Sequence, residues 1–431
     1  MNNLIKKINN KNAKIAVIGL GYVGLPLCLK LLNQKYTVYG IDIDKFRIKN
    51  INNSKIYISG IEPNSFKKYL DNKKFIVNDK FDIIEQSDII IICVPTPVNK
   101  NKTPDISPIK KSISCISPFL KKNKLIILES STYPGTTKEF IVNKFQKKFH
   151  VGKNLFVGYS PEREDPGNKF YNLSNTTKLV SGFSKTCTKL VNHFYKKIVK
   201  KTYITNSIEV AEFSKLYENA YRAINIAFVN EAKMLAKKLN LNINEIIDAA
   251  STKPFGFQKF NPGPGVGGHC IPIDPYYLSW MAKKKSINLD FLDLAGKIND
   301  TMINWIFRLI ETYRKKNKIK KAKILVIGAT YKKNVNDLRE SPILKLIPLL
   351  KKDYIFSFHD NYIQNLSSKK FQKKFKSVKL TKKNLVKNDI VFIMTDHSYL
   401  DKKKKLIEKY SKIIFDSRNF FKEKNKKIIY V

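Results

Sequence analysis

Two short segments far apart in the chain share one form, and they constrain the fold more than any other feature. Lys14-Ile-Ala-Val-Ile-Gly19 opens the first half, and Lys323-Ile-Leu-Val-Ile-Gly328 recurs far downstream. Each is a short β-branched run that ends in glycine, which is typical of a buried parallel strand entering a turn. The repetition predicts two lobes that each begin with such a strand.

Further strand-like runs follow each opening, at intervals long enough for helices. They span residues 37–43, 89–95, 125–129 and 155–159 in the first lobe, and 354–359, 390–394 and 413–416 in the second. This alternation predicts βαβ units and a mostly parallel sheet. The predicted fold class is therefore α/β, with two Rossmann-like doubly wound parallel-sheet domains joined by a long central helix. That helix is predicted over residues 208–240, which contain no proline or glycine and repeat apolar residues at three- and four-residue steps.

The composition restricts the class of protein. The net charge of +46 suggests nucleic acid, but the lysines are spread over every segment and no recognition motif is present, so no specific nucleic-acid partner is expected. No apolar run is long enough for a membrane span and the N-terminus has no secretory signal. The five scattered cysteines contain no CxxC pair, which argues against disulfides and a metal site and favours a reducing cytoplasm.

The first glycine turn carries a dinucleotide fingerprint. Gly19-Leu-Gly21-Tyr-Val-Gly24 follows a strand and precedes a helical segment, and Asp42 ends the next strand. Gly19 permits the tight turn, Gly21 the approach of a pyrophosphate, and Gly24 the packing of helix on strand. Asp42 favours NAD over NADP, while nearby Arg47 leaves NADP open.

The second turn lacks this fingerprint. Lys332, Lys333 and Arg339 stand where the first lobe has glycines, and cationic side chains suggest a different phosphate ligand. We therefore expect a dinucleotide in the first lobe and a nucleotide-linked substrate in the second.

One thiol lies in a glycine-rich loop, Gly263-Pro-Gly-Val-Gly-Gly-His-Cys270, with Asp274 four residues downstream. Glycines let the backbone of such a loop approach a ligand closely. The alternative is that Cys270 is a small buried hydrophobe, as free cysteines often are.

Together these segments resemble the UDP-glucose/GDP-mannose dehydrogenase family over essentially the whole chain. The motifs that carry the resemblance are Gly19-Leu-Gly-Tyr-Val-Gly-Leu-Pro26, Val94-Pro-Thr-Pro97, Glu129-Ser-Ser-Thr-Tyr-Pro-Gly-Thr-Thr137, Ser160-Pro-Glu-Arg163, Lys215-Leu-Tyr-Glu-Asn219, Gly267-Gly-His-Cys-Ile-Pro-Ile-Asp274 and Arg339-Glu-Ser-Pro342. The family oxidises the C6 alcohol of a nucleotide sugar to a carboxylate with two NAD. The resemblance implies an NAD-binding domain over residues 1–205, a central helical domain over 206–310 with the catalytic loop and a homodimer or higher homo-oligomer interface, and a UDP-sugar-binding domain over 311–431.

The resemblance also implies roles for individual residues. Cys270 is the expected nucleophile, which forms a thiohemiacetal and then a thioester, and Lys215 stabilises the oxyanions. Asn219 holds a water or alkoxide oxygen, and Thr132 positions a water. Asp274 and Glu162 are the two carboxylates available for proton transfer, and their division of labour stays open. His269 is expected to be a loop or specificity residue. The cofactor-binding set is Gly19, Gly21, Tyr22, Val23, Gly24, Asp42, Arg47, Pro95, Thr96 and Thr132; the substrate-binding set is Glu162, Arg163, Lys215, Asn219, Phe260, Gly267, Lys332 and Arg339.

The flanking residues favour one substrate. The loop has Ile273 where glucose-type enzymes carry lysine and His269 where they commonly carry tyrosine. Residues 251–262, the catalytic loop and residues 294–299 most resemble UDP-N-acetylglucosamine 6-dehydrogenases, which serve surface polysaccharide synthesis. UDP-glucose and UDP-N-acetylmannosamine dehydrogenases remain the alternatives.

Overall fold

Contacts between residues divide the computed structural model into two units. The structure describes residues 1–431 except 57, 59, 165–169, 171–173, 351, 369–370 and 423–424. The first unit contains Met1–Glu218 and Tyr276–Ile287, and the second contains Asn219–Pro275 and Asn288–Val431.

The first unit is built on a sheet of eight strands. They are β1 Lys14–Ile18, β2 Thr37–Ile41, β3 Phe75–Asn78, β4 Ile89–Ile92, β5 Lys124–Leu128, β6 Leu155–Tyr159, β7 Lys178–Gly182 and β8 Thr202–Ile204, in the order β3-β2-β1-β4-β5-β6-β7-β8. Strands β1 to β6 are parallel, whereas β7 is antiparallel to β6. The first six strands thus have the order of a doubly wound dinucleotide-binding domain.

This sheet is buried on both faces, which explains its continuous apolar strands. Successive isoleucines of β4 alternate between two hydrophobic cores, with Ile89 and Ile91 in one and Ile90 and Ile92 in the other. The helices that the structure describes in this part of the chain are α1 Asn2–Asn9, α2 Gly24–Asn33, α3 Lys45–Asn52, α4 Lys67–Asp71, α5 Ser107–Ile116, α6 Asn143–Phe145 and α7 Lys185–Tyr195.

A single long helix, α8, spans Ile208–Lys238. The predicted central helix is therefore confirmed, two residues shorter than expected at its C-terminal end. At 31 residues it is about 46 Å long, since an α-helix rises 1.5 Å per residue. Its first eleven residues belong to the first unit and the rest to the second.

The second unit has a five-stranded parallel sheet and a separate hairpin. The sheet strands are β9 Ala322–Ile327, β10 Tyr354–His359, β13 Ile390–Ile393, β14 Ile414–Asp416 and β15 Ile428–Tyr430, in the order β10-β9-β13-β14-β15; the hairpin is β11 Asn365–Ser368 with β12 Phe371–Lys376. Its α-helices, beside its part of α8, are α9 Ile243–Ala250, α11 Asp290–Lys316, α12 Ile343–Leu346, α13 Lys382–Val386 and α14 Lys404–Tyr410. Helix α10 spans Asp274–Lys283 and belongs to the first unit from Tyr276 onward. The predicted α/β class with two doubly wound sheets is confirmed.

The two sheets repeat one turn, as the paired opening segments predict. Gly19 and Gly328 have φ values of +92° and +91°, which favour glycine. The next residue in each lobe donates its backbone N–H to an aspartate that follows the second strand: Leu20 to Asp42 and Ala329 to Asp360, both at 2.7 Å. Each lobe therefore places one carboxylate at the carboxyl edge of its sheet, where ligands bind in this class of fold.

Within the described residues, no helix combines the length and the apolar composition needed to cross a lipid bilayer.

Candidate active site

The glycines of the first turn are required for two different reasons. A Cβ on Gly24 would lie 1.9 Å from the carbonyl oxygen of Gly19, so helix α2 packs on β1 only with glycine there. In contrast, a Cβ on Gly21 would meet no atom within 4 Å. Gly21 therefore leaves space above the N-terminal end of α2, where backbone amides and the helix dipole favour phosphate. These observations fit the predicted dinucleotide site.

The acid at the end of β2 is held in place by the same turn. Asp42 is buried and accepts hydrogen bonds from the backbone of Leu20 and, at 2.9 Å, of Asp44. Its carboxylate also forms an ion pair of 2.8 Å with Arg47. Because Arg47 is engaged by this carboxylate, it is poorly placed to attract a 2′-phosphate, which supports NAD rather than NADP.

The other predicted cofactor residues lie near this edge of the sheet. Pro95 and Thr96 follow β4, and Thr132 follows β5. Thr132 is fully buried and donates a hydrogen bond of 2.7 Å to the hydroxyl of Thr136. Tyr22 packs beside the apolar core of the first unit.

The sequence interpretation missed Glu212, which fixes the turn after Thr132. Its buried carboxylate accepts the backbone N–H of Gly135 at 2.5 Å and both the N–H (2.9 Å) and the hydroxyl (2.7 Å) of Thr137. Burial raises the pKa of Glu212 to about 7, although these hydrogen bonds oppose the shift. Glu212 lies three residues before Lys215 on α8, so one helix both anchors this turn and carries the predicted oxyanion residue.

Glu162 and Arg163 follow β6 and are both engaged within the first unit. The carboxylate of Glu162 is bound by the buried ammonium of Lys178 at 3.1 Å. Arg163 forms an ion pair of 2.7 Å with Glu218 and donates to the carbonyl of Thr177 at 2.8 Å. The predicted role of Arg163 in substrate binding remains a prediction.

Lys215 and Asn219 lie one turn apart on α8. Lys215 is only 7% exposed, and none of the described residues accepts a hydrogen bond from its ammonium or forms an ion pair with it. An ammonium without an acidic partner is available to an anionic group on a ligand.

In the second unit, a buried amide network anchors the start of the glycine-rich loop. The side-chain oxygen of Asn230 accepts the backbone N–H of Gly263 at 3.0 Å, and its amide donates to Asn299 at 3.3 Å. Asn299 in turn donates to the carbonyl of Ala223 on α8 at 2.9 Å. Helices α8 and α11 thus fix where the loop begins.

Two glycines further along pack closely against a tyrosine, and the predicted role of Gly267 in substrate binding remains a prediction. Cβ atoms on Gly267 and Gly268 would lie 2.4 Å and 2.8 Å from atoms of Tyr331. The backbone N–H of Gly268 donates to the carbonyl of Arg339 at 2.8 Å. The loop is therefore seated on the segment that carries Lys332 and Arg339.

The loop then turns sharply at the thiol. Cys270 is exposed, and its carbonyl accepts the backbone N–H groups of Ile273 at 3.1 Å and Asp274 at 2.8 Å. Asp274 is buried at the start of α10 and accepts the side-chain amide of Asn219 at 2.5 Å. The structure therefore brings Cys270, Asp274 and Asn219 together, and the alternative of a buried, hydrophobic Cys270 is wrong.

His269 does not activate this thiol as a cation. Burial, reinforced by the positive charge of Arg339, lowers the pKa of His269 to about 4. The imidazole is therefore neutral at neutral pH.

A cavity of about 740 Å³ lies in the second unit. Basic side chains line it from several elements: Lys233, Lys237, Lys259, Lys332, Lys333, Arg418 and Lys422. Arg418 was missed from the sequence; its guanidinium donates to the carbonyls of Met394 (2.9 Å) and Tyr331 (3.3 Å) and approaches Gly263. Phe260 belongs to the loop before the thiol and packs edge-on against Tyr221 at 5.9 Å.

Three consecutive segments match one protein family. Residues 13–199 match the NAD binding domain, residues 209–301 the central domain and residues 325–423 the UDP binding domain of the UDP-glucose/GDP-mannose dehydrogenase family.

Individual proteins resemble the chain along most of its length. A UDP-N-acetyl-D-mannosamine dehydrogenase of Methanococcus vannielii is 35% identical over 96% of this chain and 94% of its own. A UDP-N-acetyl-D-glucosamine 6-dehydrogenase of Pseudomonas aeruginosa is 34% identical over 78% of this chain and 80% of its own. The solved structure of a UDP-D-ManNAc dehydrogenase from Pyrococcus horikoshii is 31% identical, with a TM-score of 0.85 over 96% of this chain and 98% of its own.

Proposed function

The chain belongs to the UDP-glucose/GDP-mannose dehydrogenase family, and we propose that it oxidises a UDP-N-acetylhexosamine, with UDP-N-acetylglucosamine favoured, to the uronic acid. Whichever sugar it accepts, its activity is that of an NAD-dependent nucleotide-sugar 6-dehydrogenase. The observation that carries the mechanism is the grouping of Cys270, Asp274 and Asn219 in one loop–helix junction. The proposed product is a precursor for surface polysaccharide.

NAD fits the first unit because Gly21 leaves open space at the N-terminal end of α2 and Asp42 stands at the end of β2. When bound, NAD supplies the hydride acceptor for both oxidation steps. The residues that would hold it are the glycine turn, Asp42 for the ribose hydroxyls, and Pro95, Thr96 and Thr132 after β4 and β5.

The nucleotide part of the substrate is assigned to the second unit. Residues 325–423 match a UDP binding domain, and the basic cavity there has Lys332 and Arg418 in its wall. Arginine and lysine are the side chains that recognise phosphate oxygens most effectively. We assign the diphosphate of the UDP-sugar to this basic wall.

The chemistry at C6 proceeds through a covalent adduct of Cys270. After the alcohol has lost its first hydride and its hydroxyl proton, the Cys270 thiolate adds to the aldehyde carbon and forms a thiohemiacetal, whose oxyanion Lys215 stabilises. Loss of the second hydride leaves a thioester. Water then adds to the thioester carbon, the carbon–sulfur bond breaks, and a proton passes from the water to a carboxylate or to the departing thiolate.

The choice among sugars rests on the flanking residues of the loop. Related dehydrogenases of similar identity include both the N-acetylglucosamine and the N-acetylmannosamine type, so overall similarity does not discriminate. The stretch Thr252-Lys-Pro-Phe-Gly-Phe-Gln258 before the loop and Ile273 within it favour the N-acetylglucosamine type.

A panel of UDP-sugars tests this substrate. With NAD, we expect UDP-N-acetylglucosamine to give a kcat/KM at least about 10-fold above UDP-glucose, UDP-N-acetylmannosamine and UDP-N-acetylgalactosamine, because an acetamido pocket discriminates by hydrogen bonding as well as shape. NADH release at saturating NAD measures the rate, and two NADH should form per uronic acid. NADP in place of NAD is the control and should support little turnover. Turnover only with UDP-glucose, or a preference for UDP-N-acetylmannosamine, would disprove the proposed substrate.

The proposed homodimer rests on an apolar stripe along α8. Exposed side chains recur on it at steps of three, four and seven residues: Val210, Phe213, Tyr217, Tyr221, Phe228 and Leu235. Such spacing puts them on one helix face, and contiguous exposed apolar side chains mark interaction surfaces. We propose that a second copy of the chain covers this stripe.

Phe228→Glu is therefore expected to dissociate the dimer. Phe228 is 68% exposed in the single chain, and burying an unpaired carboxylate at its position in an interface costs about 3 kcal/mol or more, which is roughly 100-fold in Kd. Light scattering after size exclusion at micromolar concentration gives the mass. Arg222→Glu, an exposed position on the same helix but off the stripe, is the matched control and should stay dimeric. A dimeric Phe228→Glu variant would place the interface elsewhere.

A further inference from the structure

Three charged side chains form a buried cluster in the first unit. The ammonium of Lys178 lies 2.9 Å from Glu129 and 3.1 Å from Glu162. Lys178 and Glu129 are almost fully buried, and Glu162 is only slightly exposed at 11%. The hydroxyl of Tyr195 donates to the second carboxylate oxygen of Glu129.

The cluster forms because strand β7 runs antiparallel to its neighbour β6. Glu129 directly follows β5, and Lys178 is the first residue of β7. Because β7 runs antiparallel to β6 with Tyr159 opposite Ser181, continuing that register by three residues brings Glu162 opposite Lys178. No local sequence pattern reveals this pairing.

Three hydrogen bonds fix the orientation of the Glu162 carboxylate. One carboxylate oxygen, Oε1, accepts the backbone N–H groups of Arg163 and Glu164, both at 2.7 Å, and the other, Oε2, accepts from Lys178. Burial raises the pKa of Glu162, but the positive charge of Lys178 and the hydrogen bonds from Lys178, Glu164 and Arg163 together hold this pKa below its ordinary value. Burial keeps the pKa of Glu129 above its ordinary value. Lys178 and these N–H groups therefore favour the ionised form of Glu162.

We propose that Lys178 is a positioning residue that holds Glu162 in a fixed orientation and charge state for the hydrolysis step. This inference rests on the proposed function. A water that attacks the Cys270 thioester needs a hydrogen-bond acceptor, and an ionised carboxylate accepts without donating. By pairing with Glu162, Lys178 keeps that carboxylate ionised over a wide pH range, so that it can accept the hydrogen bond from water.

A purely structural ion pair is the competing explanation. Buried pairs often contribute little net stability, because desolvation cancels their attraction, so burial alone does not establish a role. The two explanations differ in what happens to the pH dependence of the reaction when Lys178 loses its charge.

The test compares Lys178→Met with the double variant Glu129→Gln/Lys178→Met, which removes the Glu129 carboxylate that would otherwise stay buried without its cation; the midpoint of thermal unfolding checks that each variant folds. Both variants should shift the acidic limb of the kcat–pH profile upward by roughly one to three pH units, as loss of a nearby cation does for a carboxyl group. At the pH of the wild-type acidic limit the rate should fall at least about 10-fold, with recovery at alkaline pH. NAD binding, measured by fluorescence, should be unchanged.

Lys124→Met is the matched control. Lys124 is another buried lysine of this sheet, but among the described residues its ammonium donates only to backbone carbonyls, those of Ile84 at 3.0 Å, Glu85 at 2.9 Å and Ser87. Its loss should lower thermal stability and leave the acidic limb in place. If the folded double variant keeps the wild-type acidic limb, Lys178 is structural only.

A readout without turnover separates this inference from the proposed function. In protein labelled with ¹³C at the glutamate carboxyls, a Glu162→Gln variant assigns the Glu162 resonance, and its titration in the ligand-free protein gives the pKa directly. The double variant should raise it. If wild type oxidises none of the UDP-sugars but this shift is found, the function fails and the positioning by Lys178 stands; if no shift is found, the positioning fails.

Discussion

Cys270→Ser is expected to lose at least about 10⁴-fold in the rate of uronic acid formation, while it binds NAD and UDP-sugar as the wild type does. Cys270 is exposed at the end of a loop that is anchored elsewhere, by Asn230 and Tyr331, so replacing sulfur by oxygen leaves the loop in place. A serine hydroxyl is a far weaker nucleophile than a thiolate, and its adduct is not an activated ester. The variant therefore stalls after the first oxidation.

Single-turnover kinetics measure this effect. Enzyme in excess over UDP-sugar, with saturating NAD, should give at most one NADH per sugar in Cys270→Ser and two in the wild type, and mass spectrometry of the quenched sugar should show no acid. Cys115→Ser is the control, since Cys115 is also an exposed thiol and should have no effect. Acid formed by Cys270→Ser at the wild-type rate would remove covalent catalysis from the proposed function.

Local sequence patterns predicted most of the fold because parallel strands buried on both faces are continuous apolar runs. The run over residues 155–159 is β6 and the run over 354–359 is β10, with the bounds expected. The strands that were missed are short or begin with polar residues, such as β3 at a sheet edge and β7, which starts at Lys178. Helix α11, which begins at Asp290, was also missed, because Gly296 and many charged residues interrupt its apolar pattern.

Spacing along the chain predicted only part of the candidate site. The three residues between Cys270 and Asp274 do form a turn that joins them. The contact of Asn219 with Asp274 spans 55 residues and depends on where α8 meets the loop, which no local pattern specifies. Lys178 and Arg418 were missed for the same reason: each is one lysine or arginine among 81, and only tertiary burial distinguishes it.

Lys215→Met is expected to lower kcat by about 10²- to 10³-fold, the usual cost of removing one preorganised oxyanion stabiliser. Lys215 is buried, and among the described residues its ammonium contacts no acid or carbonyl, so its charge is available to an oxygen on the substrate. Both oxidation steps pass through an oxyanion at C6, so the single-turnover rates of both should fall, whereas the dissociation constant for UDP should change little.

The same variant should not lose stability, and this distinguishes catalysis from packing. Methionine has nearly the length of lysine, and removing an ammonium that has no partner among the described residues breaks no ion pair or hydrogen bond, so the midpoint of thermal unfolding should change little. Lys238→Met, an exposed lysine of the same helix, is the control and should leave both kcat and stability unchanged. If Lys215→Met unfolds at a lower temperature yet retains kcat, Lys215 stabilises helix α8 and does not stabilise the oxyanion. Another residue would then be the oxyanion donor.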